Sequence, residues 1–168
     1  MKIWEGRIPA NDRRFGITYD NLAGTYREQG KLKLARETFQ RALENISANF
    51  PPNHPEVSTA LNNVGLAELA VGNVEVGKAY IDRSMAITAA TLGKSHLSYA
   101  VSLGYLGDAL KAAKDYDGAR KAYRDAIDVV DAALGPNHKR TIFPLSELGR
   151  LEYSQGNFSD AVEHFRKA

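Results

Sequence analysis

The strongest constraint in this sequence is that it repeats itself. Gly30, Gly72 and Gly156 stand 42 and 84 residues apart, and a 42-residue step carries other columns with them. Leu22, Val64, Leu106 and Leu148 are all aliphatic, and each is followed by a tiny residue: Ala23, Gly65, Gly107 and Gly149. Leu32, Val74, Tyr116 and Phe158 are large and apolar, whereas Ala35, Gly77, Ala119 and Ala161 are tiny. Phe39, Ile81, Tyr123 and Phe165 are large again, and Ala42, Ser84, Ala126 and Ala168 are small. Columns kept in register without insertion mark a chain built by stacking one supersecondary unit. Such a unit cannot bury its apolar face alone and must pack on its neighbours.

The spacing within each copy is helical. Tyr19, Leu22, Ala23 and Tyr26 fall at i, i+3, i+4 and i+7, on one face of an α-helix. A second run after Gly30, through Leu32, Ala35, Phe39, Ala42, Leu43 and Ile46, keeps that period. Gly30 and Gly72 sit where a helix end needs a residue able to turn left-handed. Tiny residues at Ala23 and Ala35 let two antiparallel backbones approach, while Tyr26 and Phe39 fill the space beside them. Each copy therefore reads as a helix–turn–helix hairpin.

A recurring loop joins the copies: Phe50-Pro51-Pro52-Asn53-His54-Pro55, Leu92-Gly93-Lys94-Ser95-His96-Leu97 and Leu134-Gly135-Pro136-Asn137-His138-Lys139. Pro and Gly stop the second helix, and Asn53 and Asn137 are expected to cap the next one. Ile8-Pro9-Ala10-Asn11-Asp12-Arg13 is a degenerate version of that loop, so residues 1–11 read as the remnant of an upstream helix and loop. The expected repeats run over about 12–53, 54–95, 96–137 and 138–168 of a single domain, the last cut short.

The pattern Leu22-Ala23-x-x-Tyr26-x-x-x-Gly30-x-Leu32-x-x-Ala35-x-x-x-Phe39-x-x-Ala42 resembles the tetratricopeptide repeat (TPR). The 42-residue length, the Asn62-Asn63 pair and the Leu134-Gly135-Pro136-Asn137-His138 loop resemble the longer subtype found in kinesin light chains and many bacterial proteins. The resemblance implies an all-α fold, a right-handed superhelix (solenoid) of antiparallel helix hairpins. Its first helices would line a concave groove that binds protein segments. Two departures stand out. Lys114 replaces the glycine expected at the third turn, and Pro144 falls inside the fourth first helix, which should start near Thr141 or kink.

Composition narrows the chemistry. The 168 residues contain no cysteine, which removes disulfides, zinc–thiolate sites, iron–sulfur clusters and thiol catalysis. With 22 Lys+Arg against 20 Asp+Glu the charge is nearly balanced, and the densest basic stretch, Lys111 to Arg124, is interleaved with acids. Nucleic acid is therefore not an expected partner. Nor is a membrane, since the basic start is interrupted at Glu5, Gly6 and Arg7 and no long apolar run follows. A cytoplasmic location is expected. His54, His96 and His138 recur once per repeat, and successive repeats lie on the order of 10 Å apart, too far for shared metal ligation. They are expected to hydrogen-bond locally and hold the loop. Gly93-Lys94-Ser95 mimics the end of a phosphate-binding loop, but Thr88 stands where the required earlier glycine would be. Asp115, Asp117, Asp125, Asp128 and Asp131 read as a solvated convex face. No metal, cofactor or catalytic set is expected, and the chain reads as a non-enzyme.

Function is then expected in the groove. Its candidate residues are Asn21, Arg27, Asn62, Asn63, Leu66, Leu69, Tyr105, Lys111, Arg150 and Tyr153. Asn carboxamides can donate to and accept from the main chain of a peptide, and leucines and tyrosines can anchor its side chains. Leu66, Leu69 and Tyr105 are equally placed to pack against a neighbouring first helix. The clamp for acidic chaperone tails known from some TPR domains is disfavoured. One placement would need basic residues at Asp20, Val101 and Tyr105, the other at Asn62, Phe143 and Glu147. Alternatives to a peptide- or helix-binding scaffold are self-association through exposed repeat ends, a structural spacer, or a sensory segment of a larger signalling protein.

Overall fold

The computed structural model describes residues 12–168, and the expected upstream remnant at 1–11 lies outside them. The described residues form helices and no strand. In chain order they are α1 (Arg13–Glu28), α2 (Leu32–Asn49), α3 (Pro55–Ala70), α4 (Val74–Thr91), α5 (Leu97–Ala112) and α6 (Tyr116–Leu134). A single 3-10 turn (Lys139–Thr141) leads into α7 (Ile142–Ser154) and α8 (Phe158–Lys167). The chain divides into two compact units, one ending at Ile87 and the other beginning at Thr88, so the boundary falls inside α4.

All four hairpin turns are closed in one way. Each first helix ends with an N–H three residues past its end bonding back six-to-one: Lys31 to Tyr26, Asn73 to Glu68, Asp115 to Leu110 and Asn157 to Glu152, all at 2.9 Å. The residue just before each donor takes a left-handed conformation, with φ of 71° at Gly30, 88° at Gly72, 64° at Lys114 and 81° at Gly156. The left-handed residue donates as well, Gly30 to Arg27, Gly72 to Leu69, Lys114 to Lys111 and Gly156 to Tyr153, so that two carbonyls a helix end leaves open are satisfied. Lys114 keeps the geometry in spite of its Cβ, which costs about 1 kcal/mol in that region.

The loops between hairpins correct one expectation. The helix caps are the histidines, not Asn53 and Asn137. His54 Nδ1 accepts from the Glu56 N–H at 3.2 Å, His96 Nδ1 from Ser98 at 3.1 Å and His138 Nδ1 from Arg140 at 3.2 Å. The chain turns one residue later than the asparagines would require, and Asn137 itself adopts a left-handed φ of 62°. Pro55 then occupies the first position of α3, where a missing N–H costs nothing. Pro144 is tolerated in the same way. After the 3-10 turn, α7 starts at Ile142, which places Pro144 in the first turn, where N–H groups have no intrahelical partner.

In the first unit α1 packs on α2 and α2 on α3, around Ala23, Phe39, Leu43, Ile46, Leu61 and Val64. Helices α3 and α4 approach until their backbones touch. A Cβ on Gly65 would lie 2.9 Å from the Gly77 carbonyl, and one on Gly77 would lie 2.8 Å from that of Gly65. Nearer the other end, Ser58 and Ser84 face each other with their Oγ atoms 2.8 Å apart, and Ser84 donates to the Ser58 carbonyl at 2.9 Å. The second unit packs α5 on α6, α6 on α7 and α7 on α8, around Ala119, Tyr123, Leu148 and Leu151. There the tiny column works against a ring instead of a backbone: Tyr123 lies on Gly107 and Phe165 on Gly149.

These contacts set opposite outcomes for chemically similar changes. Gly107→Ala drives a methyl into the buried Tyr123 ring and should cost about 1–3 kcal/mol. Gly24→Ala, in open space within α1, should gain about 0.5–1 kcal/mol. Lys114→Gly should gain a similar amount by removing the left-handed Cβ. Urea unfolding at constant slope measures all three.

Candidate functional site

The first helices α1, α3, α5 and α7 carry the expected site residues, and each unit uses them differently. In the first unit Asn63 is half-buried, and its Nδ2 donates to Asp20 Oδ1 at 2.7 Å, tying α3 to α1. Its carboxamide is thus engaged within the fold. Asn62 is only 6% exposed and belongs to the packed interior. Leu69 presses on Gly77 of α4 and closes the turn end of that hairpin. Leu66 is half-buried. Asn21 and Arg27 remain exposed on α1, with the Arg27 guanidinium 5.9 Å from the centroid of the Phe39 ring. The candidates that keep a solvated polar tip in this unit are therefore Asn21 and Arg27.

In the second unit the candidate cations are already paired. Lys111 forms an ion pair with Glu147 across from α5 to α7 and lies 3.6 Å from Asp108, while Arg150 reaches Glu147 at 2.6 Å. The Tyr123 hydroxyl donates to Asp108 at 2.7 Å, and the Lys111 ammonium lies 5.9 Å from the Tyr123 ring centroid. Burial raises the Asp108 carboxyl above its ordinary value, against the opposing pull of Tyr123 and Lys111. The Tyr123 phenol is also pushed up, by burial first and then by the Asp108 charge. Tyr105 is half-buried with its ring edge-on to Phe143, centroids 6.2 Å apart. Tyr153 is exposed and meets Phe158 edge-on at 5.4 Å.

One residue pair had no place in the sequence reading. Glu152 on α7 is 2% exposed and receives Arg120 Nε at 2.6 Å and Arg120 Nη2 at 3.3 Å, a two-pronged bridge from α6. Asn157 in the hairpin turn donates to the same carboxylate at 2.7 Å. The first unit repeats part of this device, with Asn73 donating to Glu68 at 2.6 Å. The signal was present as a Glu followed five residues later by Asn, recurring 84 residues apart. Asp117, expected as part of a solvated face, is solvated and pairs with Arg120 at 2.6 Å.

The two carboxylates respond to pH with opposite sign. Glu152 is held below its ordinary value, first by the hydrogen bond from Arg120. Its stabilisation is present above the unfolded value near 4.5 and is lost as pH falls through the depressed folded value. Asp108 is raised, so its contribution is full below its unfolded value and is lost as pH rises through the folded one.

Among the described residues no three His, Asp or Glu side chains gather as a metal-binding group, and no helix is long and apolar enough to cross a membrane. Stacked helix hairpins with polar and apolar side chains displayed on their first helices define a repeat-scaffold protein. The family described as Tetratricopeptide repeat matches residues 14–76, 56–132 and 106–168, and the chain belongs to that family.

Two solved structures share the fold. One contains nearly identical TPR-like repeats of a Podosopora anserina protein described as a kinesin light chain. It has 20% identity and a TM-score of 0.73, over 99% of this chain and 79% of that one. The other is BtubC (BKLC) from P. vanneervenii, with 21% identity and a TM-score of 0.75, over 97% of this chain and 65% of that one. Curated relatives include the Clustered mitochondria protein homologs of Aspergillus terreus, at 26% identity, and Aspergillus oryzae, at 25%, each over 74% of this chain. The chain spans about 10% of the length of those relatives.

Removing Arg120 should show what the buried bridge contributes. Arg120→Ala leaves Glu152 buried with Asn157 as its hydrogen-bond donor and without its guanidinium partner, a loss of about 3 kcal/mol at pH 7 in urea unfolding. The deficit of Glu152→Gln relative to the parent should shrink as pH drops below about 4.5. A pH-independent deficit would mean that the carboxylate charge is not what the bridge uses.

Proposed function

We propose that the chain is a cytoplasmic protein-interaction scaffold whose first-helix faces bind a peptide or helical segment of a partner protein, without nucleic acid, cofactor or catalysis. The reading rests on one observation. A single column of the first helices, Ile17, Thr59, Val101 and Phe143, is exposed in every copy and apolar in three, with Ile17 63% and Val101 and Phe143 each 43% exposed. Nothing in hairpin closure requires apolar residues at those positions, and exposed apolar patches mark interaction surfaces. Asn21 and Arg27 flank the column on α1 and supply hydrogen bonding. On α5 and α7, Tyr105 and Tyr153 supply aromatic anchors, and Lys111 and Arg150 contribute chiefly by fixing Glu147. Leu66 adds apolar area, whereas Asn62, Asn63 and Leu69 support the face from within.

Kinship with proteins described as kinesin light chain repeats and Clustered mitochondria homologs supports the scaffold reading, because in the latter the matching stretch is one part of a much longer chain. A role as a sensory or docking segment of a larger protein is compatible with the same surface. A second reading, self-association, is favoured by α8, which exposes Phe158, Val162 and Phe165.

The test compares the parent with an Ile17→Ser, Asn21→Ala, Arg27→Ala variant and with a Val101→Ser, Phe143→Ser variant, all immobilised at equal density. Each protein captured from a lysate by the parent is then quantified against the variants. At least one variant should reduce capture about tenfold or more while remaining folded by circular dichroism, the scale of a lost interface hot spot. Undiminished capture by both folded variants would exclude binding through these faces.

A further inference from the structure

Within the second unit, α5, α6, the 3-10 turn and α7 enclose a cleft of about 400 Å³. That volume falls at the small end of the range for small-molecule sites. Its walls are aliphatic and aromatic: Leu97, Val101 and Tyr105 from α5, Val130 from α6, and Phe143 from α7. Arg140 in the 3-10 turn supplies the cation of the lining. Its guanidinium makes no ion pair among the described residues, in contrast to Lys111, Arg120 and Arg150 of the same unit.

The cleft is a local departure from the repeat. The column that holds Tyr105 carries Asn21, Asn63 and Glu147 in the other copies. Beside it, Gly104 lets the Phe143 ring lie directly on the α5 backbone, where a Cβ would sit 2.9 Å from the ring. The tyrosine and phenylalanine then stand edge to face at the wall. An apolar slot with one uncompensated guanidinium matches a ligand that carries an apolar tail and a single carboxylate. A guanidinium binds a carboxylate with two parallel hydrogen bonds, and the tail gains from leaving water. A neutral apolar ligand would leave Arg140 unused, and a polyanion would find only one cation among the lining residues.

We propose that this cleft is a binding site for a short aliphatic carboxylate, with the tail between Val101, Val130 and Phe143 and the carboxylate on Arg140. The site is built within one unit and does not depend on the protein-binding reading, although it shares Val101, Tyr105 and Phe143 with that face.

The test is calorimetric titration of the intact chain with octanoate, octanol and acetate, with the site located by chemical-shift changes. Octanoate should bind saturably at one site per chain and shift resonances of Tyr105 and Phe143. Arg140→Gln should weaken it about tenfold or more, as expected for a lost charge-assisted hydrogen bond. Arg140→Lys should fall between the parent and Arg140→Gln, because an ammonium keeps the charge but not the two parallel hydrogen bonds. Octanol and acetate should each bind at least about tenfold more weakly than octanoate. Arg140 is exposed, so its variants should melt with the parent. Absence of saturable octanoate binding would overturn the proposal and leave the cleft to a side chain of a macromolecular partner. Equal binding of octanol, an unaffected Arg140→Gln variant, or shifts confined to other residues would each overturn it as well.

Discussion

Everything in this molecule depends on how closely two antiparallel helices can approach within a hairpin. Where α3 meets α4, the glycines at 65 and 77 bring backbone against backbone, and Ser58 and Ser84 lock the crossing with paired hydroxyls. Where α5 meets α6 and α7 meets α8, a glycine instead receives the face of Tyr123 or Phe165. Either solution leaves no room to slide, because a packed interior resists displacement of even one methylene. The first helix of each hairpin is thereby held in a fixed rotation, and the column from Ile17 to Phe143 is left facing solvent. A display surface results from packing alone.

Electrostatics then decides which charges remain available. In the second unit nearly every charge on the first helices has a partner inside the fold: Lys111 with Glu147 and Asp108, Arg150 with Glu147, and Glu152 with Arg120. A buried carboxylate is tolerable only when so paired, and breaking such a pair costs more than making it gained. On the proposed reading a partner would meet a neutralised, mainly apolar surface there, beside Arg140, which makes no ion pair among the described residues. In the first unit Asn21 and Arg27 are solvated and the chemistry on offer is more polar. The same fold thus presents two differently tuned faces through substitutions at equivalent columns.

The architecture was legible because it is written many times. Repetition of Leu22, Ala23, Phe39 and their counterparts exposes the hairpin, the tiny-residue contact and the turn without any structure, and even the late start of α7 follows from Pro144. The candidate site was less legible, since periodicity says which way a residue points but not what meets it there. Asn63 points as expected and finds Asp20, while Leu69 points as expected and finds the bare backbone at Gly77. Those partners lie 43 and 8 residues away and have no local signature. The Arg120–Glu152 bridge was missed for the same reason. The histidines bond locally as expected, but the capping role went to Asn53 and Asn137, because Asn is the commoner capping residue and stood one position earlier.

On the proposed reading the first helices are the working surface and the second helices the support. Amide hydrogen exchange of the chain, free and bound to a captured partner segment, tests it directly. Added protection should concentrate in α1, α3, α5 and α7, with α2, α4, α6 and α8 little changed. Protection confined to the second helices would contradict it.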